Sequence, residues 1–279
     1  MNRVTAPDLT PVEKTIYLTV VSRARDADSR EPILDDFWSV RVLDGVDYDF
    51  DALRMPVKEK FTVAIRGKQL DDWCRDFIRR HPDAVVIDLG CGLDDRSRRV
   101  SPPDGVDWYD VDFDAVMSFR SRLSTPRSLT GTVHEVRGDA TEGSWVDELP
   151  TGRPVFVIAD GFIPFIQEDR LRTLVRQLID HFPSGEIGLN GYTTLAARLL
   201  KQITAMKAIG LMPDMGAAFD DPRTPELWDS RLRLAERSML STSPYVARMP
   251  VGQRIACRVL NWFPALAAKS DAGVLLYRF

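Results

Sequence analysis

The sequence predicts an α/β protein with a Rossmann-like, doubly wound sheet. Short, continuous apolar runs, typical of strands buried on both faces, alternate with stretches of helical periodicity. The first of these strands ends in Gly90-Cys91-Gly92, and three later strands end in acidic residues. Strands and helices that alternate at this spacing indicate right-handed βαβ units and a mostly parallel sheet.

The predicted elements divide one structural domain into two regions. Residues 1–80 form an N-terminal helical cap region, with one helix starting at Thr10-Pro11 and another over 61–80. Residues 81–279 form the α/β core. The predicted strands cover 84–89, 106–111, 132–136, 155–159 and 186–189, the helices between them 114–123 and 168–182, and an antiparallel pair at the sheet edge 231–237 and 274–279.

The composition argues against several classes of partner. The 279 residues are 44% hydrophobic and carry a net charge of -4, without the clustered Lys and Arg that nucleic acid binding needs. The three cysteines have no paired spacing, which argues against disulfides and a metal site. No apolar run approaches the roughly 20 residues that cross a bilayer. We therefore expect a cytoplasmic protein without a nucleic acid or membrane partner, and the oligomeric state stays open.

The glycine loop after the first strand differs from the dinucleotide fingerprint. Gly90-Cys91-Gly92 lets the backbone turn sharply and approach a ligand closely, but Asp95 stands where that fingerprint has its third glycine. Asp94 and Asp95 are also unfavourable neighbours for a pyrophosphate. An adenosine ligand that carries a sulfonium and an amino acid in place of phosphates, S-adenosylmethionine, fits this loop better than a nicotinamide cofactor.

Acidic residues at three later strand ends complete a candidate cofactor site. Asp112, followed by Phe113, lies about 20 residues past the glycines, where a carboxylate can accept hydrogen bonds from ribose hydroxyls. Asp139-Ala140 follows the next strand and can meet the adenine amine. Asp160-Gly161 follows the fourth strand, where the amino acid end of the cofactor and the reacting groups are expected.

These motifs resemble those of the leucine carboxyl methyltransferase family, in particular the branch that methylates polyketide carboxylates. The runs 86–96, 108–114 and 160–166 are similar to the family's "LGxGLDTR", "WYDLDLPE" and "EGVLMYL" signatures. The sequence departs from them at three positions, with Asp95 for Thr, Asp160 for Glu and Phe165 for Tyr.

The resemblance implies a seven-stranded class I methyltransferase sheet with an antiparallel edge pair and a helical region over the cofactor. It implies that Arg66 pairs with the methionine carboxylate and that Gly90 to Gly92 line the methionine and ribose. Asp112 then holds the ribose, and Asp160 contacts the amino group.

The expected activity is methyl transfer to the oxygen of a small polyketide-like or aromatic carboxylate. No His directly follows the strand ends that build the site, and a carboxylate needs no general base, so no catalytic residue is assigned. The candidate substrate-binding residues are Tyr192, Phe162 and Arg198. The Met-rich stretch 206–219 is either a pocket lid or core. A phenol or hydroxyl O-methyltransferase and a non-catalytic S-adenosylmethionine-binding partner protein remain alternatives.

Overall fold

A computed structural model describes residues 3–123, 132–200, 202–211, 216–271 and 273–279. Its strands are β1 (Val4–Thr5), β2 (Val46–Asp47), β3 (Val85–Leu89), β4 (Asp107–Asp112), β5 (Thr132–Arg137), β6 (Val155–Ala159), β7 (Gly185–Asn190), β8 (Arg233–Ser238) and β9 (Val274–Arg278). Its helices are α1 (Thr15–Ala27), α2 (Phe37–Gly45), α3 (Glu59–Arg80), α4 (Arg96–Val100), α5 (Asp114–Leu123), α6 (Glu168–His181), α7 (Thr194–Leu200), α8 (Thr204–Ala208), α9 (Val251–Asn261) and α10 (Pro264–Ser270).

Strands β3 to β9 form one mixed sheet in the order β5-β4-β3-β6-β7-β9-β8. The first five of these are parallel, whereas β9 runs antiparallel to both β7 and β8. The predicted fold class is confirmed, including the antiparallel pair at the sheet edge. Because β4 and β6 pair with opposite edges of β3, the carboxyl ends of β3 and β6 meet at the point where open α/β sheets bind ligands.

Helices cover both faces of the sheet because alternate side chains of each strand point in opposite directions. Val86 and Phe156 pack against α3, where the rings of Phe77 and Phe156 lie 5.4 Å apart. Val85 and Val157 pack on the other face in the cluster that contains the apolar side of α6. The fully buried strands β3 and β6 explain why the sequence shows continuous apolar runs there rather than alternation.

The N-terminal region differs from its prediction in two details. Helix α1 begins at Thr15, and the residues from Pro11 onward form turns first. The backbone N–H of Thr10 donates to Oε2 of Glu13 at 2.7 Å, and the N–H of Glu13 donates back to Oγ1 of Thr10 at 3.4 Å. This reciprocal cap stabilises the turns ahead of the helix. The parallel pair β1 and β2 was not predicted, because two-residue strands show no periodicity.

Candidate functional site

Two adjoining cavities lie at the carboxyl ends of β3, β4 and β6. The β4-side cavity, of about 370 Å³, is lined by Asp112 and the residues that follow β5. The α3-side cavity, of about 120 Å³, is lined by Arg66 of α3 and by residues of α1. Gly90 and Gly161 line both, so the two cavities form one continuous site.

The turn after β3 has a conformation and a packing that require glycine. Gly90 has a φ of +64°, and a Cβ there would come within 2.9 Å of the Phe162 ring. The N–H of Gly90 donates to the carbonyl of Val111 at 2.8 Å, and Nη1 of buried Arg120 donates to the carbonyl of Gly92 at 3.0 Å. The loop is therefore fixed to β4 and α5 with its backbone along the cavity wall.

Asp112 is buried at the end of β4 and lines the β4-side cavity. Its two carboxylate oxygens accept hydrogen bonds from the backbone N–H groups of Gly92 and Phe113, each at 2.7 Å. Burial raises the pKa of Asp112 to about 6 even though these two hydrogen bonds act to lower it. Each carboxylate oxygen can accept a further hydrogen bond, which leaves capacity for ligand hydroxyls.

Asp139 lines the same cavity and also caps the turn that follows β5. Its carboxylate accepts from the backbone N–H of Thr141 at 2.9 Å and from the Thr141 hydroxyl at 2.7 Å, and pairs with Arg170 at 3.0 Å. Burial acts to raise the pKa of Asp139, but these contacts outweigh it and hold the pKa below its usual value. Ala140 is buried beside it and also lines the cavity.

Arg96 lies fully buried at the centre of an ion-pair network beneath the site. Its Nη1 contacts Asp71 of α3 at 2.6 Å, and its Nε contacts Asp88 of β3 at 3.2 Å. Its Nη2 contacts Asp94 at 3.3 Å and Asp160 at 2.8 Å. One guanidinium therefore joins α3, β3, the glycine loop and the turn after β6.

Further ion pairs extend this arrangement, which we call the Arg96 network. Its members are Arg23, Arg66, Arg96, Arg99, Asp36, Asp71, Asp88, Asp94 and Asp160. These four arginines and five aspartates would carry one net negative charge if every member were ionised. Burial raises the pKa of Asp88 to about 8, despite the attraction of Arg96, so a proton on Asp88 balances the network near neutral pH.

Arg66 and Asp160 form the part of the network that lines the α3-side cavity. Nε of Arg66 lies 2.8 Å from Oδ1 of Asp160, and the other carboxylate oxygen contacts Arg96. Gly161, with a φ of +74°, lets the turn pass close to the guanidinium, since a Cβ there would lie 3.2 Å from Nη2 of Arg66. A guanidinium and a carboxylate side by side match the carboxylate and ammonium of an amino acid ligand.

The predicted substrate-binding residues lie in three different places. Tyr192 lines the α3-side cavity. Phe162 lines the β4-side cavity, against Gly90, and so lies with the predicted cofactor-binding residues instead. Arg198 is exposed on α7 and lines neither cavity. Of the Met-rich stretch, Met206 lines the α3-side cavity, and Met212 and Met215 fall outside the described residues.

Three residues that were not among the predicted site residues also line the α3-side cavity, namely Arg23, Asp88 and Arg96. One signal was present for Asp88, because a lone acid inside a continuous apolar strand needs a buried partner. Arg96 appeared only as part of a motif. Nothing local in the sequence indicates that Arg23 of α1 pairs with Asp36 and Asp94.

Comparisons with known proteins agree with this geometry. The profile of the family described as leucine carboxyl methyltransferase matches residues 18–179. The chain is 34% identical to "Tetracenomycin polyketide synthesis O-methyltransferase TcmP" of Streptomyces glaucescens, over 86% of this chain and 87% of that protein. It is 29% identical to "S-adenosyl-L-methionine-dependent methyltransferase dpfgK" of Gibberella zeae, over 91% of each. A solved DUF574 family protein from Streptomyces avermitilis shares the fold with a TM-score of 0.53, at 13% identity over 92% of this chain and 95% of that one.

Replacing Arg96 with methionine should strongly destabilise the protein. The variant leaves buried aspartates without their shared cation, so we expect the free energy of unfolding to fall by about 3–5 kcal/mol. The matched control is Arg79→Met in α3, where the arginine and its partner Asp76 are both exposed, at 74% and 57%. That change should cost about 1 kcal/mol at most. Urea denaturation measures both values, and equal losses in the two variants would contradict the role of the Arg96 network.

Proposed function

The chain belongs to the leucine carboxyl methyltransferase family of S-adenosylmethionine-dependent methyltransferases, and we propose that it methylates a carboxylate oxygen of a small polyketide-like or aromatic acid. The observation that carries the proposal is the guanidinium of Arg23 at the α3-side cavity. Within the described part of the chain, Nη2 of Arg23 is buried and makes no hydrogen bond, although Nε and Nη1 are paired. An anionic substrate would satisfy this nitrogen.

The lining of the α3-side cavity fits an acid with an apolar body. Apolar side chains from α1, α3, α7, α8 and the turn after β6 share the wall with the arginines; they are Ile16, Leu18, Val63, Phe165, Leu200, Ile203 and Met206. Soft and branched side chains of this kind accommodate a hydrocarbon or aromatic skeleton. A guanidinium at one place in such a wall orients a substrate by its carboxylate. Tyr192, which lines the same cavity, is the second substrate contact that we propose.

The cofactor fits the remaining polar groups of the site. We assign Arg66 to the methionine carboxylate, Asp160 to its amino group, Asp112 to the ribose hydroxyls, and Asp139 with Ala140 to the adenine. Gly90, Cys91 and Gly92 form the wall along the methionine and ribose, with Phe113, Gly161 and Phe162 beside them. Residues 1–80 contribute Thr15 of α1 and Arg66 of α3 to the lining of the site.

The main role of the protein in this chemistry is to align the substrate carboxylate with the methyl group of the cofactor. When bound, S-adenosylmethionine supplies an electrophilic methyl group on a sulfonium. A carboxylic acid is already ionised at neutral pH, so the chain needs no general base for this acceptor. Arg23 holds the substrate anion, and the apolar wall fixes its skeleton and excludes water from the reacting oxygen.

The first alternative differs from this proposal in the group that accepts the methyl, and the second differs in that no methyl is transferred. A phenol, with a pKa of about 10, would benefit from a base near its hydroxyl. No His lines either cavity among the described residues. A non-catalytic binding partner would retain the cofactor contacts without methyl transfer, which the product experiment below distinguishes.

Cofactor affinity should depend on the ionisation of Asp112. Because burial raises its pKa to about 6, acidification protonates Asp112 and weakens the two ribose hydrogen bonds that its carboxylate would accept. We expect the dissociation constant of S-adenosylhomocysteine to rise up to about tenfold per pH unit below pH 6. Calorimetric titrations between pH 5 and pH 8 (about one unit apart) measure this dependence.

Asp112→Asn provides the control for this prediction. The amide retains the shape of the side chain but does not ionise in this range, so its weaker affinity should vary less with pH. A wild-type dissociation constant that stays level from about pH 8 to about pH 5 would contradict the raised pKa of Asp112, and an unchanged affinity in Asp112→Asn would argue against Asp112 as the ribose contact.

The methylated product distinguishes the proposed acceptor from its alternatives. We expect a base-labile methyl ester when an aromatic acid is supplied, and no transfer to the phenol of the same ring system. With an acid of pKa near 4, the rate at saturating cofactor should be level above about pH 7. A base-stable aryl ether as the preferred product would contradict the carboxylate proposal. Tight binding of S-adenosylhomocysteine without transfer to any acid or phenol would favour the non-catalytic alternative.

A further inference from the structure

Helix α9 presents an apolar stripe to the solvent. Val251, Ile255, Val259 and Trp262 are 60%, 53%, 42% and 75% exposed. Ile255, Val259 and Trp262 follow Val251 by four, eight and eleven residues. At 3.6 residues per turn, all four therefore lie on one side of the helix and its last turn. No residue of α9 is buried. Surface helices normally turn their apolar stripe toward the core, and α9 does the opposite.

The other side of α9 anchors the helix to the protein. Cys257 packs against the cluster that contains Phe61 and Ile65 of α3, together with Tyr245 and Met249. The amide of Asn261 donates to the carbonyl of Ser241 at 3.0 Å. The orientation of α9 is therefore fixed by contacts, and the outward direction of its apolar stripe follows from it.

The apolar surface continues beyond α9. Phe263, just before α10, is 57% exposed, and Leu266 within α10 is 54% exposed. Helix α7 packs on α10, and its Leu195 and Leu199 are 42% and 50% exposed. We call the set Leu195, Leu199, Val251, Ile255, Val259, Trp262, Phe263 and Leu266 the α9 face. A projecting group of this kind marks an interaction surface rather than the scattered exposure that is normal for a protein.

The charged residues of the segment that carries α9 and α10 are all basic. Between Pro244 and Ser270 the sequence contains Arg248, Arg254, Arg258 and Lys269 and no acidic residue, although the whole chain carries a net charge of -4. Arg254 and Arg258 follow Val251 and Ile255 by three residues, which places them along one edge of the stripe. A second copy of the chain would offer this face no carboxylate from the same segment. The complementary partner is therefore anionic.

We propose that the α9 face docks the protein on the surface of a bilayer that contains anionic lipid. Helices that lie in a membrane interface combine a Trp, Phe and Leu-rich side with Lys and Arg along the polar side, which describes α9 and the corner formed by Trp262 and Phe263. Among the described helices, none is long and apolar enough to cross a bilayer, so the contact is with the surface. Leu200 of α7 lines the α3-side cavity, and docking brings that wall close to the lipid.

The proposed membrane contact differs from the expectation of no membrane partner, because that expectation considered only segments that span a bilayer. From sequence alone, an amphipathic helix of 11 residues is expected to pack its apolar side against the core. Only the structure shows that the apolar side of α9 faces outward. The proposal concerns a surface separate from the cofactor site and does not depend on the acceptor that the enzyme methylates.

Vesicle co-sedimentation tests the proposal with the intact protein. We expect binding to phosphatidylcholine vesicles that contain about 30% phosphatidylglycerol, and binding about tenfold weaker or more to phosphatidylcholine alone. Trp262→Glu and the pair Arg254→Gln with Arg258→Gln should each weaken binding to the anionic vesicles by about tenfold or more. Leu227→Glu, at a position that is 84% exposed outside this face, is the matched control and should bind as the wild type does.

Three outcomes would overturn the proposal. They are no binding of the wild type to anionic vesicles, unchanged binding of Trp262→Glu, and equal binding to neutral vesicles. A concentration-dependent dimer that Trp262→Glu abolishes, without vesicle binding, would assign the face to a second copy instead. Unchanged affinity for S-adenosylhomocysteine in all the variants shows that the protein remains folded, so a loss of vesicle binding reports on the surface.

Discussion

The buried guanidinium of Arg96 is the constraint on which the rest of the site depends. An isolated charge in the interior is costly, and Arg96 is accommodated because four aspartate side chains from different elements surround it. Those elements are α3, β3, the glycine loop and the turn after β6. Three of them carry cofactor contacts that we propose, whereas Asp112 and Asp139 lie outside the network. The arrangement that satisfies the charge therefore also fixes the distances across the cleft.

The same network explains how a site crowded with acids and arginines can take a cofactor of mixed charge. With a proton on Asp88 the network is balanced, because burial favours the neutral form of that carboxyl. Arg66 and Asp160 contact each other at the cavity wall, so each can exchange its protein partner for the opposite charge of an amino acid. Arg23 lines the same cavity and contributes a nitrogen that the protein leaves unpaired within the described residues, which is the group we assign to the substrate anion.

Much of the fold could be predicted because its strands are buried on both faces. Continuous apolar runs predicted β3 and β6 nearly to the residue, and Gly90, Asp112, Asp139 and Asp160 all lie at the predicted edge of the sheet. Their assigned contacts with the cofactor stay predictions. Local sequence patterns could not predict long-range ion pairs, such as those of Arg23 with Asp36 and Asp94. They also could not predict the direction in which a side chain or a helix face points. Arg198 is exposed, and α9 turns its apolar side outward, because periodicity gives the side of a helix but not what that side faces.

A crystal structure with S-adenosylhomocysteine bound tests the central claim most directly. We expect the Arg66–Asp160 pair to divide, with the ligand carboxylate on Arg66, its ammonium on Asp160 and both ribose hydroxyls on Asp112. The contacts of Arg96 with Asp71 and Asp88 should remain as they are, since they form the fixed base of the site. A ligand whose amino acid end lies elsewhere, with Nε of Arg66 still 2.8 Å from Oδ1 of Asp160, would contradict the account.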